Sequence, residues 1–271
     1  MRQIFSHFGI IVVFLLGCNT PPEPPLVFAE CEPVPAELES CEENTEAAIV
    51  DKSNGPSIRM RRVATASRSA SVGVHNSAKS VRGTGTYFKF DKHYIIITAA
   101  HVVNGTDIIE VRTPMGESAH ALLLMFDNRI PNDLAVLVLK EPLQTRTPMK
   151  LKLREDTSNI IGEQLVYTGN PGHHRQMTLF GNVSAHETDG SIILHSYTWG
   201  GASGSGVFDD RGKLVGILKA TDLNRNPHSP YPQVTEDIVW LAPASSIDIE
   251  GLRILLTIHD SMIELYERGG M

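Results

Sequence analysis

Three short segments of the chain carry side chains suited to proton transfer and nucleophilic attack. They are Ile97-Thr98-Ala99-Ala100-His101-Val102-Val103, Asn132-Asp133-Leu134-Ala135-Val136-Leu137-Val138 and Gly200-Gly201-Ala202-Ser203-Gly204-Ser205-Gly206-Val207-Phe208. A serine among glycines ordinarily marks a flexible turn. Here an apolar run (Gly206-Val207-Phe208), a turn (Asp209–Gly212) and a second apolar run (Lys213–Leu218) follow, so the Gly-rich stretch reads as a tight loop entering a hairpin. Glycine admits φ > 0 and close approach of other chain, so two backbone N–H groups of such a loop can converge on one point, as a developing oxyanion requires. His101 follows a strand of buried type, Tyr94–Thr98, and two alanines small enough to let other segments pack near the imidazole. A lone His in that position is usually structural. Asp133 immediately precedes a strand that is apolar throughout. A carboxylate at the edge of a core is costly unless it meets a donor such as an imidazole N–H.

The elements that must position these residues are short. Strand-type runs occur at Ser71–His75, Gly85–Phe90, Tyr94–Thr98, Ile108–Arg112, Ala119–Phe126, Ala135–Leu139, Gln164–Thr168, Gln176–Ser184, Ser191–His195, Gly206–Phe208 and Leu214–Lys219, cut by Gly, Pro, Asn and Asp. Many short strands separated by turn signals indicate an all-β sandwich or barrel. Glu141–Lys152, with Pro142 and Pro148, reads as a connection between two halves. After Pro243 the period changes: Leu252, Leu255, Leu256, His259, Ile263 and Tyr266 share one helical stripe, with Ser246 as the expected N-cap.

The charge is unevenly distributed. The formal net charge is −7, yet residues 19–51 hold nine acids and no Lys or Arg, so the stretch from Lys52 onward is close to neutral. Nothing is basic enough to suggest a nucleic-acid partner. Residues 19–56 are rich in Pro, Glu, Ser, Ala and Asn and read as a semi-extended acidic spacer. Ahead of it, Arg2 and the apolar run Ile10–Leu16 form an export-signal pattern too short to span a bilayer comfortably. That run ends Leu15-Leu16-Gly17-Cys18, which resembles a bacterial lipobox, so Cys18 is the expected lipidation site and a membrane lipid anchor the expected partner. An exported chain sits where Cys31 and Cys41 could oxidise to a disulfide; two free thiols is the other reading. No Cys/His spacing suggests a metal.

Taken together, in the order His, Asp, Ser, the three segments resemble the chymotrypsin superfamily, with the greatest likeness to bacterial HtrA-type peptidases and glutamyl endopeptidases. Gly83-Thr84-Gly85-Thr86-Tyr87-Phe88, His101–Gly105, Gly169–Gly172 with Gly181–Ser184, and Trp240–Ala244 add secondary matches, and the resemblance covers roughly residues 71–249. It implies two six-stranded antiparallel β-barrels with a C-terminal α-helix. The implied boundaries are a signal peptide 1–18, a linker 19–61 and a peptidase domain 62–271, with barrel one about 70–143, barrel two about 152–243 and the helix about 245–268. It implies Ser203 as nucleophile, His101 as general base and acid, Asp133 as its orienter, and the Gly201 and Ser203 N–H groups as the oxyanion hole, acting on a protein or peptide substrate without cofactor or metal. The substrate pocket would be walled by Tyr197, Thr198, Trp199 and Gly200 and by Leu218, Lys219, Ala220 and Thr221.

Some residues depart from the pattern or compete with it. Ala202 stands where relatives carry Asp or Asn, so no zymogen switch through that side chain is expected, and what holds the loop is open. Leu218 stands where glutamyl endopeptidases carry His, which argues against strict Glu preference. Lys219 could lean toward an acidic residue or point to solvent. Asp127 is a rival acid without the Leu-Ala-Val continuation. Ser205 reads as structural, and His173 and His174 as a solvated loop or a substrate-side pair. The chain ends after one helix, so no PDZ domain is expected. A catalytically weak scaffold that binds peptides is the alternative reading, discriminated by whether Ser203 reacts.

Overall fold

A computed structural model describes residues 55–171, 174, 176–224 and 233–269. The expectations for Cys18, Cys31, Cys41, most of the acidic spacer and His173 lie outside the described residues. Barrel one consists of β1 (Ser71–Asn76), β2 (Val81–Phe90), β3 (His93–Thr98), β4 (Ile108–Arg112), β5 (Ser118–Asp127) and β6 (Leu134–Leu139) in the order β1-β4-β5-β6-β3-β2, closed by antiparallel β1–β2 pairing. A two-residue strand, β7 (Met149–Lys150), adds to β2 in parallel. Barrel two closes in the order β10-β13-β12-β11-β8-β9, from β8 (Gln164–Gly169), β9 (Met177–His186), β10 (Ile192–His195), β11 (Gly206–Phe208), β12 (Leu214–Asn224) and β13 (Gln233–Pro243). Closure gives every barrel strand a hydrogen-bonded neighbour on each side.

The apolar strands next to His101 and Asp133 have a packing explanation. Every residue of β6 is buried. Ala135, Leu137 and Leu139 point into barrel one, whereas Leu134, Val136 and Val138 face a second core shared with barrel two. β3 divides the same way, Ile96 inward and Ile95 and Ile97 outward. Successive side chains of a strand point to opposite faces, so a strand buried on both faces loses its polar alternation. The shared core takes Val166, Phe208, Leu214, Ile217 and Ala242 from barrel two, which joins the barrels along the seam where the site forms.

Two helices complete that core. α1 (Ile58–Ala70) has no counterpart in the sequence reading and begins inside the stretch assigned to the linker. Ser57 Oγ caps it by accepting from Met60 N at 3.1 Å. Its inward stripe is Met60, Val63, Ser67 and Ala70, too small and too polar to stand out among Arg59, Arg61, Arg62 and Arg68. α2 (Ala100–Val103) is a single turn, described with the site below. The C-terminal helix, α3 (Ile249–Gly269), starts later than expected. Asp248, not Ser246, is the cap: its Oδ1 accepts from Gly251 N at 2.9 Å, while Ser246 closes a 3₁₀ turn, Ala244–Ser246. Leu252 and Leu256 enter the shared core, but Tyr266 is 85% exposed and does not belong to the packed stripe. Farther along, Asp260 ties α3 to the β2–β3 turn through Lys92 at 2.7 Å and His93 at 3.0 Å.

Candidate active site

His101 lies on α2, the turn that leaves β3. Its ring is half exposed, and its Nδ1 lies 2.7 Å from Asp133 Oδ2. The other Asp133 oxygen, Oδ1, accepts from the backbone N–H of His101 at 2.9 Å. One carboxylate therefore fixes both the ring and the main chain that carries it. With Nδ1–H donated to Asp133, the imidazole presents Nε2 as its basic nitrogen. Asp133 adopts φ +37°, in the left-handed region that Asp tolerates better than most residues.

The turn that delivers Asp133 is itself built from side chains. Asp127 accepts from Arg129 Nε, Nη2 and backbone N at 2.9, 2.7 and 3.0 Å, and from Asn132 Nδ2 at 2.8 Å. Arg129's hydrogen bonds hold its carboxyl well below the usual carboxylate range. Asp127, the rival acid in the sequence, thus organises the turn and leaves His101 to Asp133.

Ser203 arrives from barrel two on the loop before β11, and barrel one grips that loop. Thr84 N donates to Ser203 O at 2.8 Å, and Thr84 Oγ1 donates to Gly201 O at 2.8 Å. The same hydroxyl accepts from Asn170 N at 3.0 Å and Nδ2 at 3.2 Å. Thr84 is fully buried, and it holds the two carbonyls on either side of Ala202. From within barrel two, Gly204 N donates to Leu218 O at 2.7 Å, and Ser205 Oγ to Ala202 O at 2.6 Å. Ser205 is structural, and Ala202 is buried among apolar residues of barrel two. These bonds supply the support that the sequence left open at Ala202.

Glycine is required twice in this loop. A Cβ on Gly204, at φ +91°, would fall 2.0 Å from Thr84 O and 3.0 Å from Ala99 N. The nucleophile loop therefore lies directly against the chain leading into His101. Gly201, at φ +100°, is the third residue of a turn closed by Ala202 N donating to Trp199 O at 3.1 Å. That sign of φ is the type II geometry, open to glycine without strain. Neither the Gly201 N–H nor the Ser203 N–H donates to another described residue, so both remain available to a ligand oxygen. No hydrogen bond joins Ser203 Oγ to His101 among the described residues; such bonds commonly tighten only when substrate binds.

The residues expected to wall the pocket divide into groups. Tyr197 and Trp199 are 44% and 52% exposed, with ring centroids 6.5 Å apart, and offer an apolar surface beside the loop. Gly200 and Ala220 are exposed and Thr221 half-buried. Thr198 is buried, and Leu218 is packed into the barrel-two core. Lys219 neither lines an acidic pocket nor points to solvent. Its ammonium donates to Pro131 O at 3.0 Å and Ser191 Oγ at 2.8 Å, so it bridges the Asp133 turn to barrel two. Burial pushes the Lys219 ammonium down from its ordinary range, against the pull of Asp189 and Asp133. Among the described residues, no group of three His, Cys, Asp or Glu side chains converges as a metal site would require. A cleft of about 760 Å³ lies away from His101 and Ser203, near Ser57 and Asp209, with Arg154 on its wall paired to Glu163 at 2.6 and 2.8 Å.

Thr84, Asn170 and Lys219's bridging role were not legible as site features. The bond from Thr84 to Gly201 crosses 117 positions of sequence, and a Thr between glycines has no local signature.

Two closed barrels with a His–Asp pair on one and a glycine-bound Ser on the other define a serine peptidase of the chymotrypsin-like fold. Residues 83–217 match the trypsin-like peptidase domain, and the chain belongs to that family. Solved structures share the fold. The serine endoprotease from Yersinia pestis is 24% identical with a TM-score of 0.56, over 73% of this chain and 68% of that one. The HtrA-type protease AlgW, solved with a tripeptide, is 21% identical with a TM-score of 0.56, over 77% and 64%. An inactive form of Rv3671c from M. tuberculosis H37Rv is 17% identical with a TM-score of 0.52, over 67% and 84%. At these identities the likeness is one of fold. No curated protein matches the chain in sequence.

Proposed function

We propose that this peptidase cleaves peptide bonds through an acyl-enzyme on Ser203. His101 Nε2 takes the Ser203 Oγ proton as the Oγ–C bond forms, and the carbonyl oxygen becomes an oxyanion bound by the Gly201 and Ser203 N–H groups. The C–N bond then breaks as His101 returns the proton to the leaving nitrogen. Water, deprotonated by the same imidazole, releases the acid and restores Ser203. Asp133 stabilises the imidazolium at both stages. The observation that carries this reading is the double grip of Asp133 on His101, through Nδ1 at 2.7 Å and the backbone N at 2.9 Å. Wild type should be labelled by a fluorophosphonate probe and Ser203→Ala should not; an unlabelled wild type across pH 7–9 overturns the reading.

The same proposal places the domain on a bacterial envelope membrane, exported and lipid-anchored through Cys18. Its support is the apolar run Ile10–Leu16 ending at Gly17-Cys18, followed by the acidic, Pro-rich stretch. Cys18→Ala should move the protein from the membrane fraction to the soluble one or leave it unprocessed. Unchanged fractionation counts against the anchor.

A further inference from the structure

The nucleophile loop has a second neighbouring surface, on the side of barrel one. A cleft of about 660 Å³ opens there, lined by Gly201 of the loop and by Gly83, His75, Arg82, Glu110 and Arg112 of barrel one. His174 and Asn170 bound it from barrel two. One of the two proposed oxyanion donors thus lines it.

The charges on that wall do not cancel. Arg112 is committed to Glu110: Nε donates to Oε1 and Nη2 to Oε2, each at 2.7 Å, and Ser118 Oγ donates to Oε1 at 2.7 Å. Hydrogen bonds from Arg112, then from Ser118, push the Glu110 carboxyl down to about 2, so this pair stays ionised and self-neutralising at any working pH. Arg82 is exposed on β2 and makes no ion pair with a described residue. Beside it, burial, then Arg112 and Arg82, lower the His75 pKa, which leaves that ring a neutral hydrogen-bonding group at neutral pH. Among its described residues the cleft therefore holds one unmatched cation flanked by imidazoles, a setting that favours an anion.

The position of the cleft says which part of a substrate would meet it. A carbonyl bonded to Ser203, with its oxygen on the Gly201 and Ser203 N–H groups, has two directions in which its chain can continue. One passes the exposed Tyr197–Trp199 pair and the Ala220 edge of β12, on barrel two. The other passes Gly201 into the cleft, toward barrel one, which also carries His101, the group that must protonate the leaving nitrogen. At ~3.3 Å per extended residue, one to three residues span the cleft.

We infer that this cleft receives the leaving segment of the substrate and selects a carboxylate one to three residues beyond the scissile bond, with Arg82 as the main determinant. The inference rests on the peptidase reading above. The carboxylate can belong to a Glu or Asp side chain or to the chain terminus, and the two sources are separable by experiment.

The test uses internally quenched peptides carrying Glu, Gln or Lys at each of the three positions after the scissile bond, made with amidated and with free C-termini. Wild type, Arg82→Gln and Arg82→Glu are compared. Each rate is divided by the same protein's rate on an anilide with no residue beyond the scissile bond. Glu should exceed Lys in relative kcat/KM by about fivefold or more at one position, the advantage should vanish in Arg82→Gln, and it should reverse in Arg82→Glu. A Glu-over-Lys preference that holds with amidated peptides assigns a side-chain carboxylate; a preference for free over amidated C-termini that is the same for Glu, Gln and Lys, and is lost in Arg82→Gln, assigns the chain terminus. Equal wild-type rates for Glu, Gln and Lys and for free and amidated C-termini, or a preference that survives Arg82→Glu, overturn the inference alone, since fluorophosphonate labelling persists. No labelling and no cleavage by wild type overturns the peptidase reading and this inference together.

Discussion

The two barrels contribute to the site in different ways. Barrel one holds its contribution through side chains: Asp133 grips His101 twice, and Asp127 with Arg129 and Asn132 shapes the turn beneath. Barrel two contributes mainly backbone: the Ser203 loop, with free N–H groups at Gly201 and Ser203. Side-chain geometry survives small shifts of the main chain, because rotamers absorb them. A backbone oxyanion hole has no such tolerance, and its main chain must be held from outside. Barrel one supplies that hold through Thr84, which is why a buried hydroxyl stands between two glycines on β2. The His101–Asp133 pair is thus held locally, while the Ser203 loop depends on the seam between the barrels.

The largest expected effect separates chemistry from assembly. His101→Ala or Asp133→Asn should lower kcat by about 10³–10⁴-fold with little change in Tm, since both residues lie at the surface of the site. A large fall in Tm would show instead that barrel one needs the pair to fold. Next comes the seam. Thr84→Val leaves the Gly201 carbonyl and the Asn170 donors without their buried partner, at about 1–3 kcal/mol for each unsatisfied group. Its kcat should fall roughly 10–100-fold at nearly constant KM, and Thr84→Ser should recover most of it. An equal loss in Thr84→Ser, or a change confined to KM, would remove Thr84 as the residue that positions the oxyanion loop.

A smaller effect is expected at the second strut. Lys219→Met keeps the buried stem but removes the donor to Pro131 O and Ser191 Oγ. A several-fold loss of kcat with a modest drop in Tm is expected, because only the Asp133 turn is released. Unchanged kinetics would show that the Asp127–Arg129 network suffices to hold that turn. The smallest effect lies away from both halves, at Asp260. Hydrogen bonds from Lys92, then His93, lower its pKa, so its contribution is full above the ordinary carboxylate range and is lost as pH falls through the depressed folded value. Asp260→Asn should therefore lower Tm slightly at pH 7 and by progressively less toward pH 2, while activity stays unchanged. A gap in Tm that persists at low pH would assign the effect to packing of α3 and not to its charge.

Legibility followed how local each cause was. The strands of barrel one and the Gly-rich loop were readable because each rests on a pattern a few residues long. Helix α1 was not, because its buried stripe includes Ser67 and Ala70 and becomes inward only once barrel two covers it. The start of α3 was displaced for a related reason: Ser246 and Asp248 are both good caps, and the 3₁₀ turn at Ala244–Ser246 decided between them. Tyr266 fits the helical period yet protrudes, because α3 outruns the core it packs on.

By itself, the sequence determined the order of His101, Asp133 and Ser203, the all-β class, and a Gly-rich loop entering a hairpin. Those follow from short-range rules of backbone sterics and side-chain alternation. Tertiary structure alone decided that Lys219 serves the Asp133 turn, that Thr84 clamps the Ser203 loop across the seam, and that Arg82 lines a cleft without a counter-charge among the described residues. The first two depend on segments 88 and 117 positions apart meeting at hydrogen-bond range and the third on Arg112 taking up Glu110, and no periodicity along one chain encodes which distant group a side chain will face.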